Sequence, residues 1–120
     1  MAWLDAPDWV QNQLTTTFPT WQITPEADNI RLDRHPSVVW SLQLSNPDSR
    51  GIWTGNLTLV LTCSPASADS NVAALHDAVQ AWETPGPIQG VTLINYTAGR
   101  SPSGRAVRSY VLVYSLTWDH

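Results

Sequence analysis

The sequence predicts an α+β fold in which two helices pack on a mostly antiparallel, mixed β-sheet. Two segments repeat apolar residues at helical spacing, five have the patterning of strands, and Gly, Pro, Asn and Asp cluster between them. A chain of 120 residues is long enough for one hydrophobic core. We therefore expect a single domain over residues 1–120, in the order α-β-β-β-α-β-β.

The first helix is predicted from about Ala6 to Thr17. Val10, Leu14 and Phe18 recur at four-residue spacing, which places them on one stripe. Asp5 precedes the helix as a candidate N-cap. A proline after Phe18 prevents the helix from continuing.

Three strands are predicted next, in "TWQITP", "SVVWSLQLS" and "IWTGNLTLVLTC". The second alternates apolar and polar residues, which indicates one buried and one wetter side. The turn-forming residues of "NPDSRG" join it to the third as an antiparallel hairpin. One face of the third strand carries Leu57, Leu59, Leu61 and Cys63.

The second helix follows Pro65, with Ser67 or Asp69 as its cap. Its apolar arc is Val72, Leu75, Val79 and Trp82. The opposite side is rich in alanine, which either reflects helix propensity or lets a second surface approach closely.

Two further strands complete the sheet. In "VTLINYT", Val91 and Leu93 are expected on one face and Thr92, Ile94 and Tyr96 on the other. In the last strand, Val111 and Val113 make the middle apolar on both faces, as in a central strand covered on both sides. The inner face of that strand is predicted to carry Tyr110, Leu112, Tyr114, Leu116 and Trp118.

Catalytic and metal-binding patterns are not found in the sequence. Ser64 lacks the G-x-S-x-G context of an exposed nucleophile, and Cys63 continues a buried face, which favours a core thiol. The spacing of His35, His76 and His120 matches no zinc motif. We therefore expect no enzyme activity, no cofactor and no metal. The net charge of −4 argues against a protein that binds nucleic acid or a membrane surface.

Tryptophan and arginine are the residues that suggest a function. Seven tryptophans are many for so small a core, and Trp53 and Trp3 are the least easily buried by their own chain, so some are expected to meet a partner. The arginines lie in or beside loops, either as solvated charges or as groups that pair with carboxylates of another chain. They are Arg31, Arg34, Arg50, Arg100, Arg105 and Arg108.

The arrangement resembles the tail terminator, or tail completion, proteins of long-tailed bacteriophages. The resemblance covers nearly the whole chain. It rests on a helix ending near "FPTWQIT", the strand "HPSVVWSLQL", the strand, break and helix "LTLVLTCSPASADSNVAALHDAVQAW", and the terminal strand "RSYVLVYSLTW".

The resemblance implies a structural virion protein, assembled in the host cytoplasm. Members of that family form a ring, typically of six subunits, that caps the tail tube and meets the head connector. The implied partners are further copies of the chain, the tube protein and the connector, while DNA passes through the pore without specific binding. We expect the rim contacts in "NPDSRGIW" and "AGRSPSGRAVR", including Arg50, Trp53, Arg100 and Arg105.

Two alternatives remain. One is another virion neck protein, either a head-closure or a minor tail component. The other is a small ligand-binding or regulatory domain, which would need a deep apolar pocket with convergent polar groups.

Overall fold

Two helices and five strands form the described part of the chain, which is residues 5–25, 36–45, 48–83, 88–99 and 107–119 of a computed structural model. This confirms the predicted α+β class and element order. The elements are α1 (Ala6–Thr17), β1 (Gln22–Thr24), β2 (Ser37–Leu44), β3 (Ile52–Cys63), α2 (Ala68–Gln80), β4 (Gly90–Ala98) and β5 (Arg108–Asp119).

The five strands form one mixed sheet in the order β1-β2-β3-β5-β4. The predicted β2–β3 hairpin is confirmed, with Ser37 opposite Thr62 and Leu44 opposite Gly55. β5 lies between β3 and β4 and is antiparallel to both. β1 runs parallel to β2, so the sheet is mixed and not wholly antiparallel.

Both helices pack on the same face of the sheet. Trp40 lies opposite Leu59 on one ladder, and Leu57, two residues earlier on β3, lies opposite Tyr114 on the next. Because alternate residues of a strand share a face, these side chains point the same way. Trp40 contacts α1, Tyr114 contacts α2, and the Trp9 and Trp82 rings join the two helices edge to face at 5.1 Å. The result is a two-layer structure.

The predicted inner faces form the core. Val10 and Leu14 of α1 and Leu75 and Val79 of α2 are buried, and Phe18 stacks on Trp21 at 4.0 Å. The predicted sets on β3 and β5 are also buried, namely Leu57, Leu59, Leu61, Cys63, Tyr110, Leu112, Tyr114, Leu116 and Trp118.

The opposite face of the sheet carries a patch of half-buried valines surrounded by hydroxyl and amide side chains. Val39 lies opposite Val60, which in turn lies opposite Val111. β5 is a central strand as predicted, but both helices lie on the other face, so neither helix supplies the cover predicted for Val111 and Val113, which are half-buried. We call this surface the open face.

Neither helix is capped as the sequence predicted. Asp5 and Ser67 are at the N-cap positions, but neither makes a side-chain capping hydrogen bond. The backbone of Asp5 is already helical (φ −91°, ψ −6°), whereas a capping side chain requires an extended backbone. The Ser67 hydroxyl donates instead to the carbonyl of Ser64 and accepts from the Asn71 amide.

β4 departs most from its predicted pattern. A bulge between Leu93 and Asn95 shifts the register, so that Tyr96 lies opposite Leu112 on the helix side, contrary to the prediction. Leu93 lies opposite Tyr114 on the predicted face, but it is not buried. β4 is an edge strand, and the helices leave most of its length uncovered: every residue from Thr92 to Ala98 is exposed.

Candidate interaction surfaces

The structure places the two described candidate arginines at opposite ends of the sheet. β3 and β5 each contain 12 residues and run antiparallel, with Ile52 opposite Asp119 and Cys63 opposite Arg108. Arg50 precedes Ile52 by two residues and so lies at the other end from Arg108. A strand of this length spans roughly 40 Å, and the longest dimension of the molecule is 49 Å. The two arginines therefore belong to two separate surfaces.

The turn that carries Arg50 is held together by Asp48. The Asp48 carboxylate accepts hydrogen bonds from the backbone N–H groups of Arg50 (2.8 Å) and Ile52 (3.1 Å), and the Arg50 guanidinium lies 2.9 Å from its second oxygen. The hydrogen bond from the Ile52 N–H, followed by the hydrogen bonds from the Arg50 side chain and backbone, lowers the pKa of the Asp48 carboxyl group. Gly51 supplies the positive φ of 79° that the turn requires. The Arg50 side chain remains 74% exposed.

Trp53 is not an exposed rim contact, so that prediction is wrong. It is 7% exposed and lies opposite Trp118 on the helix side. The ladder already begins at Ile52, and strand alternation then turns the next side chain into the core. Trp3 lies outside the described residues.

The surface at the other end of the sheet is built around the start of β5. Arg108 is exposed, and the backbone N–H of Gly99 donates to the carbonyl of Ser109 (2.5 Å), which ties the end of β4 to the beginning of β5. The remaining candidate arginines lie outside the described residues. They are Arg31, Arg34, Arg100 and Arg105.

Cys63 and the described acidic and histidine residues do not form a metal-binding cluster. Cys63 is fully buried at the end of β3, as predicted, and burial raises the pKa of its thiol. Within the described ranges, no three His, Cys, Asp or Glu side chains are grouped closely enough to hold a metal ion. His35 and His120 are outside those ranges.

The sequence did not predict a polar contact between α2 and the centre of β5. His76 Nδ1 lies 2.8 Å from the Tyr114 hydroxyl, and the two rings stack with centroids 5.9 Å apart. Tyr114 is fully buried; burial, followed by the charge of Asp77, raises the pKa of its hydroxyl. The only sequence signal was that His76 follows the buried Leu75. The pair satisfies a buried hydroxyl that would otherwise destabilise the core.

The raised pKa of Tyr114 predicts a loss of stability at high pH. In the unfolded chain, a tyrosine loses its proton near pH 10, whereas folded Tyr114 keeps it. The unfolded state is therefore favoured as pH rises above about 10, by up to about 1.4 kcal/mol per pH unit. We expect the free energy of unfolding of Tyr114→Phe, from urea titrations, to fall less steeply between about pH 9 and 11 than that of the unsubstituted chain. Equal slopes would contradict the prediction.

A cleft of about 380 Å³ lies between α1 and β2. Gln11, in its wall, already donates to the Ile23 carbonyl (2.9 Å) and accepts from the Trp40 indole N–H (2.5 Å). Asp8 is the charged residue in the lining, which otherwise consists of Pro7, Gln11, Pro25, Trp40, Ser41 and Leu42. Gln11 is therefore already engaged within the fold, and Asp8 and Ser41 are the other polar side chains of the described lining.

Within the described part of the chain, neither helix has the length and hydropathy of a membrane span. No family model matches the sequence, and a search of curated proteins finds no match to it.

Proposed function

We propose that the chain is the subunit of a ring that caps the head-proximal end of a phage tail tube, stops its polymerisation and joins the tail to the head connector. The observation that carries this proposal is the separation of Arg50 and Arg108 at opposite ends of 12-residue strands. A ring between a tube and a connector needs two separate contact surfaces, and this fold offers two.

The positions of the charged and the buried apolar side chains support a structural role. The described candidate arginines lie at the two ends of the sheet, while the helix side between them is a packed core. A head-to-tail contact between neighbouring subunits can close into a ring, and forming such a ring requires no catalytic group. In the family that the sequence resembles, the ring typically contains six copies. The net negative charge of the chain suits a pore through which DNA passes without being bound.

Another neck protein, such as a head-closure or minor tail component, would use similar surfaces. Electron microscopy of particles made by a phage lacking this gene separates the functions. A terminator leaves overlong tubes, whereas a head-closure protein leaves tails of normal length that are not joined to heads. Tails of normal length that are joined to heads would contradict both.

Complementation of that phage with rim variants tests the two surfaces separately. We expect Arg50→Glu to impair one junction and Arg108→Glu the other, because each reverses the charge at one end of the sheet. One variant should therefore yield overlong tubes, and the other should yield tails of normal length without heads. Glu83→Gln is the control, since Glu83 is exposed near the end of α2. The same defect in both arginine variants, or none in either, would contradict the assignment.

A further inference from the structure

β4 is an edge strand that lacks two of the common protections against pairing, charged residues and proline, although it does contain a bulge. It is nine residues long and contains neither a charged residue nor a proline, the residues that commonly block edge-to-edge association. Within the described chain, the exposed large apolar side chains are Leu93 (37%), Ile94 (55%) and Tyr96 (46%), and all three lie on β4. The other edge strand, β1, has only three residues.

The bulge makes the two halves of β4 mirror each other. Before it, Val91 and Leu93 lie opposite Leu116 and Tyr114, on the helix side; after it, Tyr96 and Ala98 lie opposite Leu112 and Tyr110, on the same side. Thr92 and Thr97 lie opposite Ser115 and Val111, on the open face. Each half of the strand therefore has a threonine on the open face between two apolar residues on the helix side, whichever end of the strand is read first. Without the bulge, strand alternation would move the second half to the opposite faces.

We propose that two copies of the chain pair antiparallel through β4, with Leu93 of one copy opposite Tyr96 of the other. The two-fold axis then passes between Ile94 and Asn95, and Thr92 faces Thr97 of the second copy on the open face. In this register every matched pair outside the centre joins like side chains on one face, as a self-complementary contact requires. A register shifted by two residues, with Val91 opposite Tyr96, would also keep the faces matched, but it would separate the two threonines.

β4 brings no charged side chain to a contact with a second copy. Each chain has a net charge of −4, so two copies repel each other overall, and this repulsion is smallest where the facing surfaces carry no charge. The described carboxylates of the helix layer, which include Asp8, Asp69, Asp77 and Glu83, lie on or beside α1 and α2. β4 carries no charged residue, although Asp69 is near enough to act on Tyr96: burial, followed by the charges of Tyr110 and Asp69, raises the pKa of the Tyr96 hydroxyl. Pairing through β4 thus joins two chains along a strand without charged side chains.

The size of this contact predicts a weak dimer. Nine residues of strand are roughly 30 Å long, and a sheet with its side chains is about 10 Å thick. The strip is therefore several hundred Å² on each copy, below the roughly 1,200–2,000 Å² in total of a stable complex. We expect a reversible dimer that forms as the protein concentration rises. The inference does not rest on the proposed function, because it concerns the free chain alone.

Disulfide trapping tests the register. Thr92→Cys and Thr97→Cys are made separately at these two exposed positions, mixed, and oxidised gently. Paired residues of antiparallel strands lie within the Cα separation of a disulfide, so the mixture should give a crosslinked dimer that joins position 92 to position 97. Each variant alone is the matched control and should give little dimer, because two copies of position 92 would lie five residues apart along the pair. Crosslinking of each variant with itself, or none in the mixture, would overturn the proposal.

Sedimentation velocity tests the contact itself. The sedimentation coefficient of the full chain should rise with concentration. Tyr96→Lys should weaken self-association by about tenfold or more, because the ammonium would be desolvated against Leu93 of the second copy. Asn12→Lys adds the same charge at an exposed position of α1 and should leave it unchanged. A chain that stays monomeric at every concentration, or that pairs only with a different protein, would overturn the proposal and leave the tail-assembly results untouched.

Discussion

Replacing Trp118 with alanine should lower the free energy of unfolding by about 3–5 kcal/mol. Trp118 is 1% exposed, lies opposite Trp53, and fills the space beside Gly55 near the end of β5. Truncation removes its apolar contacts and leaves a cavity. Its indole N–H has no hydrogen-bond partner among the described residues, and losing that unsatisfied donor offsets part of the cost. We therefore expect a value in the lower half of the range.

Urea unfolding followed by far-ultraviolet circular dichroism measures this loss without relying on tryptophan fluorescence. Trp118→Phe should be less destabilising, because it keeps most of the volume and also removes the buried N–H. Ile94→Ala, at an exposed position of β4, should change stability by no more than about 0.5 kcal/mol. A Trp118→Ala value as small as that of Ile94→Ala would show that Trp118 does not support the core.

Gly55→Val should lower the free energy of unfolding by about 1–3 kcal/mol. A Cβ at Gly55 would stand 3.1 Å from Leu42 Cδ1 and 3.1 and 3.2 Å from two atoms of the Trp118 ring. Leucine can rotate away, but the rigid indole of Trp118 is only 1% exposed and has little room to move, and valine adds two further methyl groups. The clash therefore costs more than the added apolar surface contributes.

A double-mutant cycle identifies the cause of that loss. In a Trp118→Leu background the ring is gone, so Gly55→Val should cost clearly less than in the original chain. Thr54→Val, on the neighbouring residue of the opposite face, introduces a valine next to Gly55 without adding a Cβ and should be close to neutral. Additive effects of the two substitutions would show that the indole is not the obstacle.

The helices and the central strands were predictable because their signals are local. α1 runs from Ala6 to Thr17 as predicted, since apolar spacing and a nearby proline define both its stripe and its end. The β2–β3 hairpin follows from alternation on both sides of a turn-forming segment. The buried set on β5 follows from alternation alone.

The remaining features depend on contacts between distant segments. Nothing within "TWQITP" indicates that β1 runs parallel to β2, and nothing within "VTLINYT" indicates a bulge or an uncovered edge. The burial of Trp53 depends on where the ladder between β3 and β5 begins. That ladder also places Arg50 and Arg108 at opposite ends, a separation that the positions of the two residues in loops could not reveal.

The placement of β5 determines when the sheet can form during synthesis. β5 follows β4 in the chain, yet it lies between β3 and β4 and is the hydrogen-bonded neighbour of both. Until the ribosome has released residues 108–119, each of those strands has an unpaired edge, and the pairing of Thr62 with Ser109 must bridge 47 residues. A nascent chain therefore cannot complete its sheet before β5 has emerged from the ribosome, and chains that lack β5 would leave apolar strand edges open to aggregation.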